Sequence, residues 1–369
     1  MPRVLILGAG VAGTLAANRL RRARRDLEIV VVSGYPDHLY QPGFLRVPFG
    51  ASADPLRRDE AGLLRAGVEF RVDHVAGVQP DRRQIGLASG GVLGYDWLVI
   101  ATGSRLDSRR IPGAREHLHH FHCLKGALRL ADRLSQFRGG RIVVGASRLP
   151  YKCPPSTLEF AFLLDAWLRR NGLRSKTRLT FVHPRPALSP VPEVASWAES
   201  ELRDRGCEIV AGFEPEAVDA STRTMRSRSL FLPFDLGILV PPHIGAPFLK
   251  SSGLADAEGW VAVDPRTLRA CHRVYALGDA AKLPCPKSGS AAAFQARIVA
   301  ENILAELDGR APGSRYDGRA ICSLETGSGR AAFVESAYET SPRAPSPSWS
   351  GYWKKRIFGK LYFPMMRRA

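Results

Sequence analysis

The run Val4-Leu5-Ile6-Leu7-Gly8-Ala9-Gly10-Val11-Ala12-Gly13 limits what this chain can fold into more than any other stretch. Four apolar residues read as a buried strand, glycines follow at the spacing GxGxxG, and a helical pattern then continues through Leu20. A strand, this turn and a helix, in that order, open a parallel α/β sheet that binds a dinucleotide. Each glycine has its own reason. Gly8 allows the tight turn, Gly10 lets a pyrophosphate approach the backbone, and Gly13 lets the helix pack on the strand, while amides at the helix N-terminus face the phosphate. The second strand, Ile29 to Val32, departs from the usual pattern. Ser33-Gly34 follows it where a carboxylate ordinarily binds the ribose hydroxyls, so Ser33 offers a single hydroxyl in that place.

Two more signals lie far down the chain. One is Trp97-Leu98-Val99-Ile100-Ala101-Thr102-Gly103-Ser104; the other is Val274-Tyr275-Ala276-Leu277-Gly278-Asp279-Ala280, ahead of a helical stretch from about Ala291 to Leu307. Between them, Arg141-Ile142-Val143-Val144-Gly145 starts like another nucleotide-binding strand, yet Ala146-Ser147-Arg148 follows in place of further glycines. Cβ atoms would stand where a pyrophosphate must approach, so ordinary nicotinamide binding is not expected there. The stretch runs instead into Leu149-Pro150-Tyr151-Lys152-Cys153-Pro154-Pro155, and a thiolate beside a redox cofactor is another route for two electrons. With 369 residues, 45% of them apolar, the chain has material for two or three domains.

The glycine turn, the Ala101-Thr102-Gly103 segment and the Gly278-Asp279 pair resemble, in order and spacing, the flavoprotein disulfide reductase superfamily over nearly the whole chain. Within it, four segments are similar to the sulfide:quinone oxidoreductases and, in part, to the flavin subunit of flavocytochrome c sulfide dehydrogenase. They are the Cys153 segment, Ala320-Ile321-Cys322-Ser323-Leu324-Glu325-Thr326-Gly327, Phe121-His122-Cys123 and Pro286-Lys287-Ser288-Gly289. The resemblance implies an α/β fold with two Rossmann-like dinucleotide-binding domains of the glutathione-reductase kind, plus a short C-terminal membrane-facing region. It implies FAD as cofactor, with Asp279 on the ribityl chain and the following helix pointing its positive end at the flavin. Residues 1–110 and 240–310 would form the FAD domain, 111–239 a second Rossmann-like domain with a degenerate nicotinamide site, and 311–369 the C-terminal region. Carried over residue by residue, Cys153 and Cys322 become a redox pair at the flavin, linked as a disulfide or polysulfide. Cys123 becomes an auxiliary thiol, and Lys287 a cation that stabilises negative charge on reduced flavin. Sulfide is then the donor and a membrane quinone the acceptor. Cys207, Cys271 and Cys285 read as small apolar residues, and no cysteine pair has the CxxC spacing of a zinc site, so no metal is expected.

The formal charge of +18 comes from arginines spread along the chain, and nucleic acid is not expected as a partner. One region differs. From Ser341 to Ala369 there is no Asp or Glu, while lysines and arginines alternate with aromatic rings, a mixture suited to an anionic membrane surface. Trp353, Phe358, Tyr362 and Phe363 are the candidates there for contact with quinone and membrane. No run of about 18 apolar residues exists to span a bilayer, and no export signal is readable. The expectation is a peripheral protein on the cytoplasmic side of a membrane, with assembly into a homo-oligomer left open. Two other readings compete: a type II NADH:quinone dehydrogenase, which needs a competent nicotinamide turn and has no use for Cys153 and Cys322, and a flavin-dependent redox sensor without turnover.

Overall fold

In the computed structural model, which describes residues 1–189, 191–228, 230–343 and 346–368, the strand Arg3–Leu7 sits inside a six-stranded sheet. The order is Arg269–Cys271, Val274–Ala276, Trp97–Ile100, Arg3–Leu7, Glu28–Ser33, Val68–Val72, and every neighbouring pair is parallel except the first. Val4 to Leu7 are completely buried, as a strand covered on both faces must be. Leu7 pairs with Ile100 and Ile100 with Ala276, so the glycine turn, the Ala101-Thr102-Gly103 segment and the Gly278-Asp279 pair all leave the same end of one sheet.

The helix Val11–Ala23 turns back over that sheet and packs on the helix Gly289–Leu307. Ala12, Ala16 and Ala17 share one buried cluster with Ala292, Ala296 and Ala300, and side chains this small let two helices approach closely. The second helix begins two residues before the alanine run that marks it in the sequence. Ser288 sets that start, its Oγ accepting the Ala291 N–H at 3.2 Å as an N-cap.

A second sheet has five parallel strands in the order Leu118–His119, Leu236–Val240, Gly140–Ala146, Thr177–His183, Glu208–Ala211. Gly145 is held at its centre by crowding, since a Cβ there would stand 1.9 Å from the Val182 carbonyl oxygen. Beyond Ala146 the Ser147 N–H and O–H both donate to the Val240 carbonyl, at 3.0 and 2.7 Å. The Ser147 side chain therefore bonds back onto the neighbouring strand at the end of this one.

The C-terminal region starts with an antiparallel sheet of Ala320–Glu325, Ala331–Ala337 and Thr340–Arg343. The basic and aromatic segment after it is one helix, Trp349–Arg368. Among the described residues no helix is long and apolar enough to cross a membrane. Buried polar contacts fix this helix to the helix Val11–Ala23 and to the segments that carry His38 and Glu60. Asn18 Nδ2 donates to the Met366 carbonyl at 3.0 Å, and Tyr362 Oη lies 2.8 Å from His38 Nε2. His38 Nδ1 lies 2.8 Å from Glu60 Oε2, and Thr14 Oγ1 donates to Glu60 Oε1 at 2.6 Å.

The glycines of the first turn separate packing from ligand binding. A Cβ at Gly13 would stand 1.9 Å from the Gly8 carbonyl oxygen, whereas one at Gly10 would meet no protein atom within 4 Å. Gly13→Ala is expected to lose about 3 kcal/mol in urea unfolding. Gly10→Ala keeps the wild-type midpoint for the apoprotein but purifies with far less FAD, read from the ratio of flavin to protein absorbance.

Candidate active site

The cofactor cradle assembles from three distant segments. Gly8 is left-handed at φ +103°, and a Cβ there would stand 2.4 Å from the Ala101 carbonyl oxygen. Gly278 is also left-handed, at φ +66°, and its Cβ position lies 3.3 Å from the Ala12 methyl, which places the Gly278-Asp279 turn over the start of the first helix. Ser104 Oγ donates to Asp279 Oδ2 at 3.1 Å, tying the segment after Ala101, Thr102 and Gly103 to that turn. Thr102 Oγ1 is buried with no partner among the described residues, and the space beside Gly10 is clear of protein atoms. Ser33 stands at the end of the neighbouring strand, its Oγ 3.4 Å from the Tyr35 N–H. An open backbone at a helix N-terminus, a waiting hydroxyl and a carboxylate on a tight turn fit a dinucleotide, with pyrophosphate at Gly10 and sugar hydroxyls at Asp279.

Cys153 lies on the loop between the strand Gly140–Ala146 and the helix Ser156–Arg170. Its backbone is left-handed at φ +54°, a conformation that costs a residue with a Cβ about 1–3 kcal/mol. The surroundings hold it there. Its N–H donates to the Lys287 carbonyl at 2.6 Å, and its own carbonyl accepts the Ser156 N–H at 2.8 Å.

Cys322 comes from the middle of the strand Ala320–Glu325, and its sulfur meets that of Cys153, both as free thiols. Contact with Cys322, and then burial, hold the Cys153 pKa well above the ordinary thiol range. Contact with Cys153 lowers that of Cys322, helped by Ser288 and opposed by burial. The pair thus gives up its first proton more easily than its second, and the thiolate is the form in which sulfur attacks and leaves.

Charged groups that the sequence did not single out surround the pair. Glu159, buried on the helix after Cys153, is ion-paired with Lys355 of the terminal helix, and Arg46 is ion-paired with buried Glu325 three residues beyond Cys322. Burial raises the Glu159 pKa against the pull of Lys355. Nothing local marks Lys355 among the other cations of its segment. Lys287 Nζ donates to the Asp279 and Ala281 carbonyls at 2.7 and 2.9 Å and stands 4.0 Å from the centre of the Trp260 ring. Its ammonium therefore braces the Gly278-Asp279 turn, and burial lowers its pKa. Cys123 caps the helix Leu124–Ser135, with its sulfur accepting the Gly126 N–H at 3.3 Å, so that it is engaged by the helix rather than by the thiol pair.

The four aromatic candidates of the C-terminal helix divide. Trp353 and Phe358 are exposed, whereas Tyr362 and Phe363 are buried, Tyr362 with its ring centre 4.6 Å from that of Tyr40 and Phe363 beneath the Arg58 guanidinium at 4.9 Å. The exposed side is a ridge of Trp349, Trp353, Ile357, Leu361 and Met365, four residues apart along the helix, with Phe358 beside it.

Comparison with known proteins agrees with this architecture. The family model described as pyridine nucleotide-disulphide oxidoreductase matches residues 2–297. Over 361 residues the chain is 27% identical to the mitochondrial sulfide:quinone oxidoreductase of Mus musculus, covering 93% of this chain and 80% of that protein. Over 398 residues it is 24% identical to the sulfide-quinone reductase of Aquifex aeolicus, covering 99% and 91%. The crystal structure of the sulfide:quinone oxidoreductase from Aquifex aeolicus superposes with a TM-score of 0.91 at 22% identity, over 100% of this chain and 92% of that one, a likeness of fold. The chain belongs to the pyridine nucleotide-disulphide oxidoreductase family and is an FAD-dependent oxidoreductase.

Proposed function

We propose that this protein oxidises sulfide with FAD and passes the electrons to a quinone at a membrane surface. The observation that carries the reading is the contact of Cys153 with Cys322, on a loop bonded through Lys287 to the Gly278-Asp279 segment. Full-length similarity to sulfide:quinone oxidoreductases supports it. When bound, FAD supplies a two-electron acceptor. The residues of the chain do the rest. Hydrosulfide attacks one sulfur of the oxidised pair; a new S–S bond forms and the Cys153–Cys322 bond breaks, leaving a persulfide on one cysteine and a thiolate on the other. At Cys322 the Ser288 hydroxyl favours the thiolate, while Lys355 does so against the opposing charge of its partner Glu159. The thiolate and the persulfide close a bridge that keeps the added sulfur, releasing one proton and two electrons; the quinone takes up the electrons with two protons, and further sulfide lengthens the bridge until a polysulfide leaves.

Residues 1–110 and 240–310 serve in this reading as the FAD domain, 111–239 as the second Rossmann-like domain and 311–369 as the region facing quinone and membrane. The terminal helix supports a peripheral attachment. Its ridge of Trp349, Trp353, Ile357, Leu361 and Met365 is an apolar stripe flanked by Lys354, Arg356 and Lys360, a pattern that favours an anionic, cytoplasmic leaflet. The Ser147 side chain, bonded back onto the neighbouring strand, argues against a type II NADH:quinone dehydrogenase.

Anaerobic sulfide is expected to bleach the flavin absorbance of the holoprotein, while NADH leaves it unchanged. Cys153→Ala slows the sulfide response by roughly 1000-fold. Bleaching by NADH with sulfide inert would move the chain to the NADH dehydrogenases. The thiol pair gives a pH signature as well. In the reduced protein a small thiol reagent modifies Cys322 first, from below the ordinary thiol range. In Cys153→Ala the midpoint moves up, since Cys322 loses the contact that lowers its pKa and keeps the burial that raises it; mass spectrometry of quenched samples reads both. Finally, Trp353→Ser with Leu361→Ser weakens binding to vesicles of anionic lipid by roughly 100-fold and leaves the sulfide titration in solution intact.

A further inference from the structure

The adenosine end of the cofactor cradle departs from the pattern that its glycine turn follows. Leu7 pairs with Val32, so with the pyrophosphate at Gly10 the adenosine ribose of FAD reaches the end of the strand Glu28–Ser33. A carboxylate ordinarily takes the ribose hydroxyls there, and here Ser33 and Gly34 stand in its place. Ser33 has a shorter reach, and its Oγ already accepts the Tyr35 N–H at 3.4 Å. One partly engaged hydroxyl is a weak replacement for two carboxylate oxygens. Asp73, just past the neighbouring strand, does not make up the loss, because its carboxylate accepts the Ser89 hydroxyl.

That neighbouring strand supplies another group. Val72 stands opposite Ser33, and the Asp73 N–H donates to the Ser33 carbonyl at 2.8 Å, which delivers His74 to the same edge of the sheet. Its imidazole lies where a side chain at Gly34 would be. A Cβ there would stand 2.3 Å from His74 Cε1, 2.4 Å from Nδ1 and 3.0 Å from Nε2. Gly34 does not have a left-handed backbone, so what glycine provides at this position is room for the ring. Tyr35 meets the imidazole edge to face, with ring centres 5.8 Å apart. Neither ring nitrogen has a hydrogen-bond partner among the described residues, and both His74 and Tyr35 are exposed, so the strand end is open to a ligand.

The chemistry of the two partners matches. A neutral imidazole keeps one nitrogen lone pair, and a ribose hydroxyl has a proton to donate to it. The lone pair is thus the acceptor that the carboxylate ordinarily is, brought in from the next strand rather than from the end of this one. We propose that His74 holds the adenosine ribose of FAD, a ring nitrogen accepting the 2′-hydroxyl proton while Ser33 Oγ meets the neighbouring hydroxyl. Tyr35 positions the ring from outside, and Gly34 leaves it space. The pyrophosphate and the flavin side are held elsewhere, at Gly10 and Asp279, so His74 acts on the adenosine alone. The assignment concerns the cofactor and stands whether or not sulfide is the electron donor.

The test is flavin exchange. The full-length holoprotein is equilibrated with a mixture of FAD and FMN, which lacks the adenosine, and the flavins it then carries are separated and quantified. His74→Ala should lower the bound ratio of FAD to FMN about 10-fold, the scale of one lost hydrogen bond, whereas a general loosening of the protein weakens both flavins and leaves the ratio alone. Exchange against an FAD analogue whose adenosine lacks the 2′-hydroxyl locates the bond. Wild type should prefer FAD about 10-fold, and His74→Ala should lose that preference. His74→Gln, which restores an acceptor, should recover most of the ratio, and His74→Phe, which keeps a ring beside Gly34 without nitrogens, should behave as the Ala variant. An unchanged ratio of FAD to FMN in His74→Ala overturns the proposal. So does a Phe variant that behaves as wild type, or a preference for the 2′-hydroxyl that is missing in wild type or kept in His74→Ala. Should the Ala variant fail to fold, the Phe variant reads the same ratios.

Discussion

The hydrogen bond from the Cys153 N–H to the Lys287 carbonyl, at 2.6 Å, joins the two halves of the candidate site. On one side is the loop that leaves the second sheet; on the other is the segment that follows the Gly278-Asp279 turn. Lys287 works in both directions, since its carbonyl holds the thiol loop and its ammonium holds the carbonyls of Asp279 and Ala281. The left-handed backbone at Cys153 is the local cost of that link. Cys322 is set against the same framework from behind. The hairpin that follows its strand is pressed onto the helix after Cys153, where a Cβ at Gly327 would stand 2.7 Å from the Phe162 carbonyl oxygen. The loop of Cys153 and the strand of Cys322 are thus both set against one helix, and a shift of either would separate the sulfurs.

Electrostatics follow from that placement. Two thiols in contact and out of water cannot both ionise, so the first proton leaves readily and the second is retained. Glu159 with Lys355, and Arg46 with Glu325, bring further charge to the pair in compensated form, which limits the cost of burying it. The terminal helix enters the site through Lys355, and the surface-facing element is thereby bonded to the redox centre.

What was legible in the sequence was local. The strand, glycine turn and helix from Val4 to Leu20 lie in one short stretch, where Gly8 and Gly13 are crowded by backbone and Gly10 leaves its space open. The Cys153 segment was legible as a nucleotide turn that had lost its glycines, although the bond of the Ser147 side chain became visible only with Val240 beside it. Contacts between remote residues left no such trace. Glu159 and Lys355 are 196 residues apart, and His38 and Tyr362 are 324 apart, with nothing in either neighbourhood to announce the partner. The terminal helix was obscured for another reason. The helix contains Gly351, Gly359 and Pro364, residues that disfavour helix, and a Cβ at Gly351 would stand 2.1 Å from the Ala331 carbonyl oxygen, so this glycine answers to packing. Once a helix is drawn, its period separates the ridge of Trp353 and Leu361 from the inward Tyr362 and Phe363, a division that composition alone could not make.

The buried chain of Tyr362, His38, Glu60 and Thr14 gives that division a further meaning. It secures the terminal helix entirely from its inner side, together with Asn18 on Met366, and leaves the outer ridge without structural duty. Inner positions cannot drift without stranding a carboxylate in the interior, whereas ridge positions are free to vary. Substitution along the ridge can therefore rewrite the outer face of the helix without disturbing its inner anchorage, and the two faces of one element can diverge independently.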